Sequence, residues 1–483
     1  MPTFWSNVKF LSIAGVGLFA DGYLNISIGL VVPMIGYVYY QDDKGTVPTV
    51  SSDVIKGGLS IGMIIGQLMF GLFGDALGRH KIYGKELILT IFGTLMLIVM
   101  PPKLDHSGVV AWMTVFRIIT GMGTGGDYPM TSSISAETDR FGSRAKLVLT
   151  VFSFIGLGSF SSGIVYIILL AAFKGSIYDA QWHIQWVWRL LFGIGLVPCI
   201  ATLYARLTMK ESKPYEKYVS KDTGLVGKDK RGLKEQFADF RVYFSNWRHA
   251  RTLFAVSFCW FLFDIAFYGI NLNQSLILTQ IGYGKGKTPF LTLWHTAIGN
   301  IIVSCAGYLP GFYVAIFLPD IIGRVRQQFY SSIVVCILYA IWAGVTNHVS
   351  TGGLIAIFTI SQFVLNLGPN ATTFLIPVEV FPTRVRGTAH GIAAASGKAG
   401  AVLTAFAFGT ITEKIGLSGV LGLFSGIMAL CAAVTLLIPE TKDKSIEEIE
   451  AGVVFGEAPE SQGSSEMDVS SAEAVKITGD GKV

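Results

Sequence analysis

Charge is what this chain has least of. Asp, Glu, Lys and Arg make up only 14% of its 483 residues, against about 25% in an ordinary soluble domain, while 51% are hydrophobic and the mean hydropathy is +0.55. A soluble globular fold is thereby excluded, because a water-facing surface needs more polar side chains than this chain supplies. Cysteine is sparse as well. Cys199, Cys259, Cys305, Cys336 and Cys431 all fall in apolar runs without paired spacing, which argues against a disulfide framework and a zinc site and leaves them as packing residues. Neither a metal-spaced His and Asp cluster nor a nucleophile beside a base at an aqueous edge is present, so no enzymatic activity, metal or cofactor is expected. The net charge of +5 is mostly a matter of topology, and nothing resembles a nucleic-acid-binding face.

Long apolar runs are what the chain has in quantity. Twelve meet or approach the ~20 residues needed to cross a bilayer: 10–38, 54–74, 84–101, 109–134, 146–173, 187–207, 251–281, 291–318, 328–346, 353–377, 388–411 and 416–438. The first is too long for a signal peptide, carries Asp21 near its middle and lacks a small-residue cleavage site, so it is expected to remain as a helix. Arg79, Lys81 and Lys85 follow the second run, Arg140, Arg144 and Lys146 the fourth, and Arg324, Arg326, Arg384 and Arg386 the eighth and tenth. The positive-inside rule places those loops, with both termini, in the cytoplasm. The plasma membrane is the expected location.

Two short signatures recur about half a chain apart. Asp75-Ala-Leu-Gly78-Arg79 is matched 245 residues later by Asp320-Ile-Ile-Gly323-Arg324, and Glu137 with Arg144 is matched 242 residues later by Glu379 with Arg386. Offsets so nearly equal imply a duplicated unit of membrane helices, the way alternating-access carriers are built. The expected fold class is therefore an all-α membrane protein of twelve transmembrane helices in two pseudo-symmetric six-helix halves. These are 1–207 and 251–438, joined by a polar cytoplasmic loop, 208–250, and followed by a Ser-, Glu-, Gly- and Ala-rich cytoplasmic tail, 439–483, expected to be disordered apart from a short helix at Ser445-Ile-Glu447-Glu448. Within the loop, Phe237, Phe240, Tyr243, Phe244 and Trp247 suit either an amphipathic helix on the membrane surface or a solvated linker.

An ionisable side chain at mid-membrane costs at least ~2.5–3.5 kcal/mol on insertion scales, so it needs a partner, a wet cavity or a function. Asp21, Arg117, Asp127, Asp264 and Lys398 meet that description. Asp127 follows Gly121, Gly123, Gly125 and Gly126 and precedes Pro129, which places it at an expected helix break, either tying down loose amides or serving as a proton site. Trp260, Asp264, Tyr268 and Asn271 fall at i, i+4, i+8 and i+11, one polar and aromatic helical face with an acid at its centre. Asn366, Asn370 and Thr373 share a face around Pro369, suited to inward hydrogen bonding or to links between helices. Lys398 and Arg117 are candidates to counter a substrate's charge or a neighbouring carboxylate. Asp75, Arg79, Glu137 and Arg144, with Asp320, Arg324, Glu379 and Arg386, lie at loop ends and read as gating ion pairs that latch one face shut. His295 and His390 read as packing histidines.

At these residues the chain resembles the major facilitator superfamily, and more narrowly its phosphate:proton symporter family, over nearly all of 8–450. The carriers of the resemblance are Gly71-Leu-Phe-Gly-Asp75-Ala-Leu-Gly78-Arg79, Gly123-Thr-Gly-Gly-Asp127-Tyr128-Pro129, Trp260-Phe-Leu-Phe-Asp264-Ile-Ala-Phe-Tyr268 and Gly368-Pro369-Asn370-Ala-Thr-Thr-Phe. The likeness implies a phosphate moiety held by Tyr128, Trp260, Asp264, Tyr268 and Asn370, with Asp21, Asp127 and Asp264 carrying protons and Lys398 near the site. Two departures stand out. An Asp-x-Tyr-Asp in the first span of inorganic phosphate symporters is Asp21-Gly22-Tyr23-Leu24-Asn25 here, and a glutamine of their fifth span is matched by Ile155. Loss of an acid and a donor to aliphatic groups suits a larger ligand, and the Asp-Gly-Tyr-x-Asn form resembles the fungal glycerophosphodiester permeases. The expectation is thus proton-coupled import of glycerophosphoinositol or glycerophosphocholine, with inorganic phosphate:proton symport as the alternative and a non-transporting nutrient receptor as a remote one. The partners expected are a phosphodiester or phosphate anion, protons and the lipid bilayer. An anion and an ionised Asp264 repel in a low-dielectric pocket, so anion and proton are expected to travel together.

Overall fold

The computed structural model describes residues 4–138, 142–220 and 232–456, and within them every regular element is helical. The first six long helices are α1 (Phe4–Tyr39), α2 (Thr49–Leu77), α3 (Lys85–Ile98), α4 (His106–Ala136), α5 (Arg144–Ala172) and α6 (Gln181–Leu207). They are followed by α7 (Trp247–Asn271), α8 (Pro289–Ala315), α9 (Arg324–Val345) and α10 (Thr351–Val380). The last apolar stretch, Arg386–Thr435, is 50 residues long, twice a membrane thickness, and is divided at Gly416 (φ 69°, ψ 173°) into α11 (386–415) and α12 (417–435). This is an all-α membrane protein of twelve spanning helices in two six-helix halves. Large apolar side chains on its outside, such as Leu68, Phe92, Val197 and Ile341, are exposed because the solvent they face is lipid rather than water.

Small residues decide how closely the helices approach. Gly58, Gly62 and Gly66 recur every four residues on α2 and face α4 at Thr114, Ile118 and Met122, while Gly121 and Gly125 of α4 face Leu59 and Met63 of α2. A methyl group at Gly62 or Gly66 would overlap the α4 backbone, and one at Gly121 the carbonyl of Leu59, so the spacing is a packing seam. The repeated loop signature also has a backbone cause. Gly78 and Gly323 sit at φ 98° and 93°, a region that side chains disfavour, and each redirects the chain immediately before its arginine.

Several expectations are corrected. Pro129 does not break α4, which runs uninterrupted from His106 to Ala136; the other helices tolerate the one lost amide hydrogen bond. In α10 the helix loosens into a wide turn over Asn366–Asn370, with the non-helical residue being Gly368 (φ −113°, ψ −106°) beside Pro369. Residues 232–246 of the central loop include the helix Leu233–Tyr243, whose Phe237 and Val242 are exposed, as is Trp247 at the start of α7. Within tail residues 440–456, Glu440 accepts from the Arg324 and Val325 amides at 3.0 and 3.1 Å, and the short helix expected at Ser445–Glu448 forms as Ile446–Glu450, capped reciprocally by Ser445 and Glu448. Arg140, loop residues 221–231 and tail residues 457–483 lie outside the described residues.

Candidate functional site

Helices α1, α4, α7 and α11 bring two carboxylates, two tyrosines, an amide and a lysine together between the halves. Lys398 of α11 donates to Asp264 Oδ2 of α7 at 2.8 Å, and its ammonium lies over the Tyr268 ring at 4.4 Å and the Tyr128 ring at 5.4 Å. Tyr128 of α4 donates to Asp21 Oδ2 of α1 at 2.6 Å. Asn25, one turn beyond Asp21, donates to Tyr268 Oη at 3.2 Å and to Asp21 Oδ1 at 3.4 Å, closing a polar ring across the two halves. Asp21, Tyr128, Asp264, Tyr268 and Lys398 are all no more than 4% exposed. Aromatic rings wall the cluster: Trp260 lies 6.3 Å from Tyr128, centroid to centroid, and Phe374 lies 5.8 Å from Tyr128 and is stacked on Phe152 at 4.3 Å. His390 sits edge-on to Trp260 and Phe374 and bonds the Phe374 carbonyl, as a packing histidine does.

With every group ionised, this cluster holds two carboxylates and one ammonium, one negative charge in excess. A further anion doubles that excess in a medium where close like charges repel by several kcal/mol. The arrangement therefore accepts an anion most readily when a proton accompanies it. Tyr128, Tyr268, Asn25 and Lys398 supply hydroxyl, amide and ammonium donors, and a tetrahedral oxyanion needs donors from several directions.

Other residues expected in the site lie apart from these contacts. Asn271 donates to the Phe267 carbonyl at 2.7 Å and to Gln362 Oε1 at 3.3 Å, tying α7 to α10. Asn370 donates to Asn366 Oδ1 at 2.7 Å within the loosened turn. Arg117 is buried between α4 and α2, where its Nε donates to the Ile55 carbonyl at 2.9 Å, and none of its hydrogen bonds reaches the cluster.

Asp127 is held by a partner that the sequence reading missed. Arg206, fully buried near the end of α6, is paired with Asp127 and, at 3.3 Å, with Glu86 of α3. It also donates to the Ile13 and Ala14 carbonyls of α1, each at 2.8 Å. Asp127 lies so close to Gly17 that a methyl group there would overlap the carboxylate. The signal is in the chain: Arg206 falls inside the sixth apolar run, as Glu86 does inside the third, each near the end of its run.

The eight gating candidates divide. Asp75 accepts from the Gly387 amide at 3.1 Å and from the Thr388 amide and hydroxyl at 2.6 and 2.7 Å, across the halves. Arg79 pairs with Asp75 at 3.0 Å and Glu137 at 3.2 Å, and Glu137 pairs with Arg386 of the other half at 3.1 Å. In the second copy Arg324 grips Glu379 through two bonds, 2.8 and 3.1 Å, and Asp320 at 3.4 Å. Arg144 makes no ion pair within 4 Å among the described residues; it reaches the Lys444 carbonyl at 3.5 Å.

These features define a polytopic carrier with acids and a lysine buried between two halves. The model of the sugar (and other) transporter family matches residues 10–452, and the chain belongs to that family. A putative inorganic phosphate transporter of Schizosaccharomyces pombe is 39% identical, covering 92% of this chain and 88% of that protein. The inorganic phosphate transporter PHO84 of Saccharomyces cerevisiae is 37% identical, covering 92% and 84%. Among solved structures, the proton:xylose symporter XylE of E. coli superposes with a TM-score of 0.70 at 20% identity, covering 93% of this chain and 99% of that one, a likeness of fold alone.

The expectation of glycerophosphodiester import is overturned, because relatives at 31–39% identity along most of the chain are named inorganic phosphate transporters or, in one case, a phosphate permease. The two departures that suggested a larger ligand, in the first and fifth spans, do not strip the site of polar groups. Leu24 and Ile155, the aliphatic replacements that suggested a roomier site, are both buried, and Asn25 delivers its amide to Asp21 and Tyr268. The site keeps hydroxyl, amide and ammonium donors.

Proposed function

We propose that the protein is an inorganic phosphate:proton symporter of the plasma membrane, working by alternating access with both termini cytoplasmic. Phosphate is bound by Tyr128, Trp260, Tyr268 and Lys398, with Asp264 and Asp21 taking up the protons that make an anion tolerable beside them. The observation that carries this reading is the Lys398–Asp264 pair at 2.8 Å, overlain by Tyr128 and Tyr268. An anion competes with Asp264 for Lys398, and protonation of Asp264 releases the lysine to the anion. Asp127, locked to Arg206 in the first half, serves as a second proton station nearer the basic loops. The named activity of the phosphate-transporting relatives supports the substrate, and the basic loops after α2, α4, α8 and α10 support the orientation.

Asp264→Asn is the direct test. In proteoliposomes the variant should lose uphill phosphate accumulation driven by an inward proton gradient, and its residual uptake should no longer rise as the outside is acidified. Full accumulation with the wild-type dependence on outside pH would exclude Asp264 from coupling.

A further inference from the structure

At the end of the bundle opposite the arginine-rich loops lies a cavity of ≈ 420 Å³ between the halves, separate from the Asp264 cluster. Its one lining cation is Lys56 of α2, buried, whose ammonium donates to Asn273 Oδ1 just past α7 at 2.8 Å. Two carboxylates line the same space. Asp53 stands one turn before Lys56, and Glu413 of α11 is held there by the Thr49 hydroxyl at 3.0 Å. Tyr166 and Thr412, also in the lining, have buried hydroxyl oxygens without a hydrogen-bond partner. A lysine sunk into a cavity wall, bonded only to a neutral amide, and two idle hydroxyls constitute an incomplete polar shell.

We propose that this cavity is an outer binding site for a protonated oxyanion, of the class to which dihydrogen phosphate belongs, held by Lys56 and selected by Asp53 and Glu413. The inference rests on the phosphate reading above. Lys56 and the two hydroxyls donate to the anion's bare oxygens, whereas the carboxylates, being acceptors only, require an anion that brings O–H donors of its own. Dihydrogen phosphate has two. Sulfate has none at neutral pH, so its oxygens face the carboxylates with nothing to share, and the same two acids that hold phosphate repel it. Because Lys56 also links the halves through Asn273, an anion that takes the ammonium frees that link as it enters.

The test is labelled-phosphate uptake by the full-length protein in proteoliposomes, with sulfate as competitor. Lys56→Gln should raise the KM for phosphate about tenfold, the loss of one charge-assisted hydrogen bond, with the maximal rate little changed, and Lys56→Arg should restore it. The double variant Asp53→Asn with Glu413→Gln should make sulfate a competitor where it does not compete in the wild type. Asn273→Ala, which removes the neutral amide that the anion must displace and keeps the cation, should not raise the KM for phosphate and should leave sulfate rejected. An unchanged KM in Lys56→Gln, continued indifference to sulfate in the double variant, or an Asn273→Ala defect equal to that of Lys56→Gln would each overturn the outer site alone. Absence of phosphate uptake by the wild type would overturn the phosphate reading and this inference with it.

Discussion

Asp75–Arg79 and Asp320–Arg324 occupy equivalent turns after α2 and α8, each with a glycine at positive φ and an arginine donating to a carbonyl five residues back at 3.1 Å. The first copy is sealed: Asp75, Arg79 and Glu137 have buried side chains, and their bonds run into the start of α11 in the other half. The second copy turns inward on its own half. Glu379 is consumed by Arg324 and by the Thr441 hydroxyl at 2.9 Å, and among the described residues the one ion pair that Asp320, Arg324 or Glu379 makes with the first half is Lys146–Asp320 at 3.7 Å, partly exposed at both ends. Identical residues thus form a buried clasp between halves in one copy and a brace within a half in the other. Such asymmetry matters because a charge pair's worth depends on burial: removing one partner from a buried pair costs about 3–5 kcal/mol, while exposed pairs contribute about 0–1 kcal/mol.

Three substitutions break or sharpen that contrast. Arg386→Ala has the largest expected effect, since it strips Glu137 of its partner across the halves and removes a bond to the Phe381 carbonyl. The closed state at this end should lose about 3 kcal/mol or more, a shift of at least about a hundredfold toward opening, visible as longer distances between spin labels on the two halves. An unchanged distance distribution would dissolve the distinction between clasp and brace. Glu379→Gln comes next. It should lower the stability of the second half by about 1–3 kcal/mol, read as a reduced unfolding temperature in detergent, and leave the inter-half distances alone. Asp320→Asn should be smallest, within about 1 kcal/mol on either readout; what little it does should fade at high ionic strength, as exposed charge pairs are screened.

Much of this was legible in the chain. The twelve apolar runs correspond to helices, because a backbone in lipid must satisfy its own hydrogen bonds and helix is the local solution. Asp264, Tyr268 and Lys398 were singled out as buried polar groups, and they do meet. Arg206, Glu86 and Lys56 were passed over, as each lies near the end of its run, where a charge is ordinarily solvated. Asn271 engages other partners for a different reason. Helical spacing put it on the Asp264 face, but near the end of α7 that face packs on Gln362 of α10. Pro129 was read as a break, although a proline removes a single amide bond and packing on both sides keeps the helix running.

By itself the sequence determined the membrane, the number of crossings, the duplicated unit and the short inventory of charges that had to be accounted for within the bilayer. Those follow from composition and local periodicity. Which charge meets which was decided only by the tertiary structure: Lys398 finds Asp264 across 134 residues, Arg206 finds Asp127 across 79, and Arg386 rather than Arg144 finds the glutamate of the opposite half. Helical spacing tells which face a side chain occupies, but the energy of an ion pair in low dielectric changes steeply over a few ångströms. That separation is set by how whole helices pack.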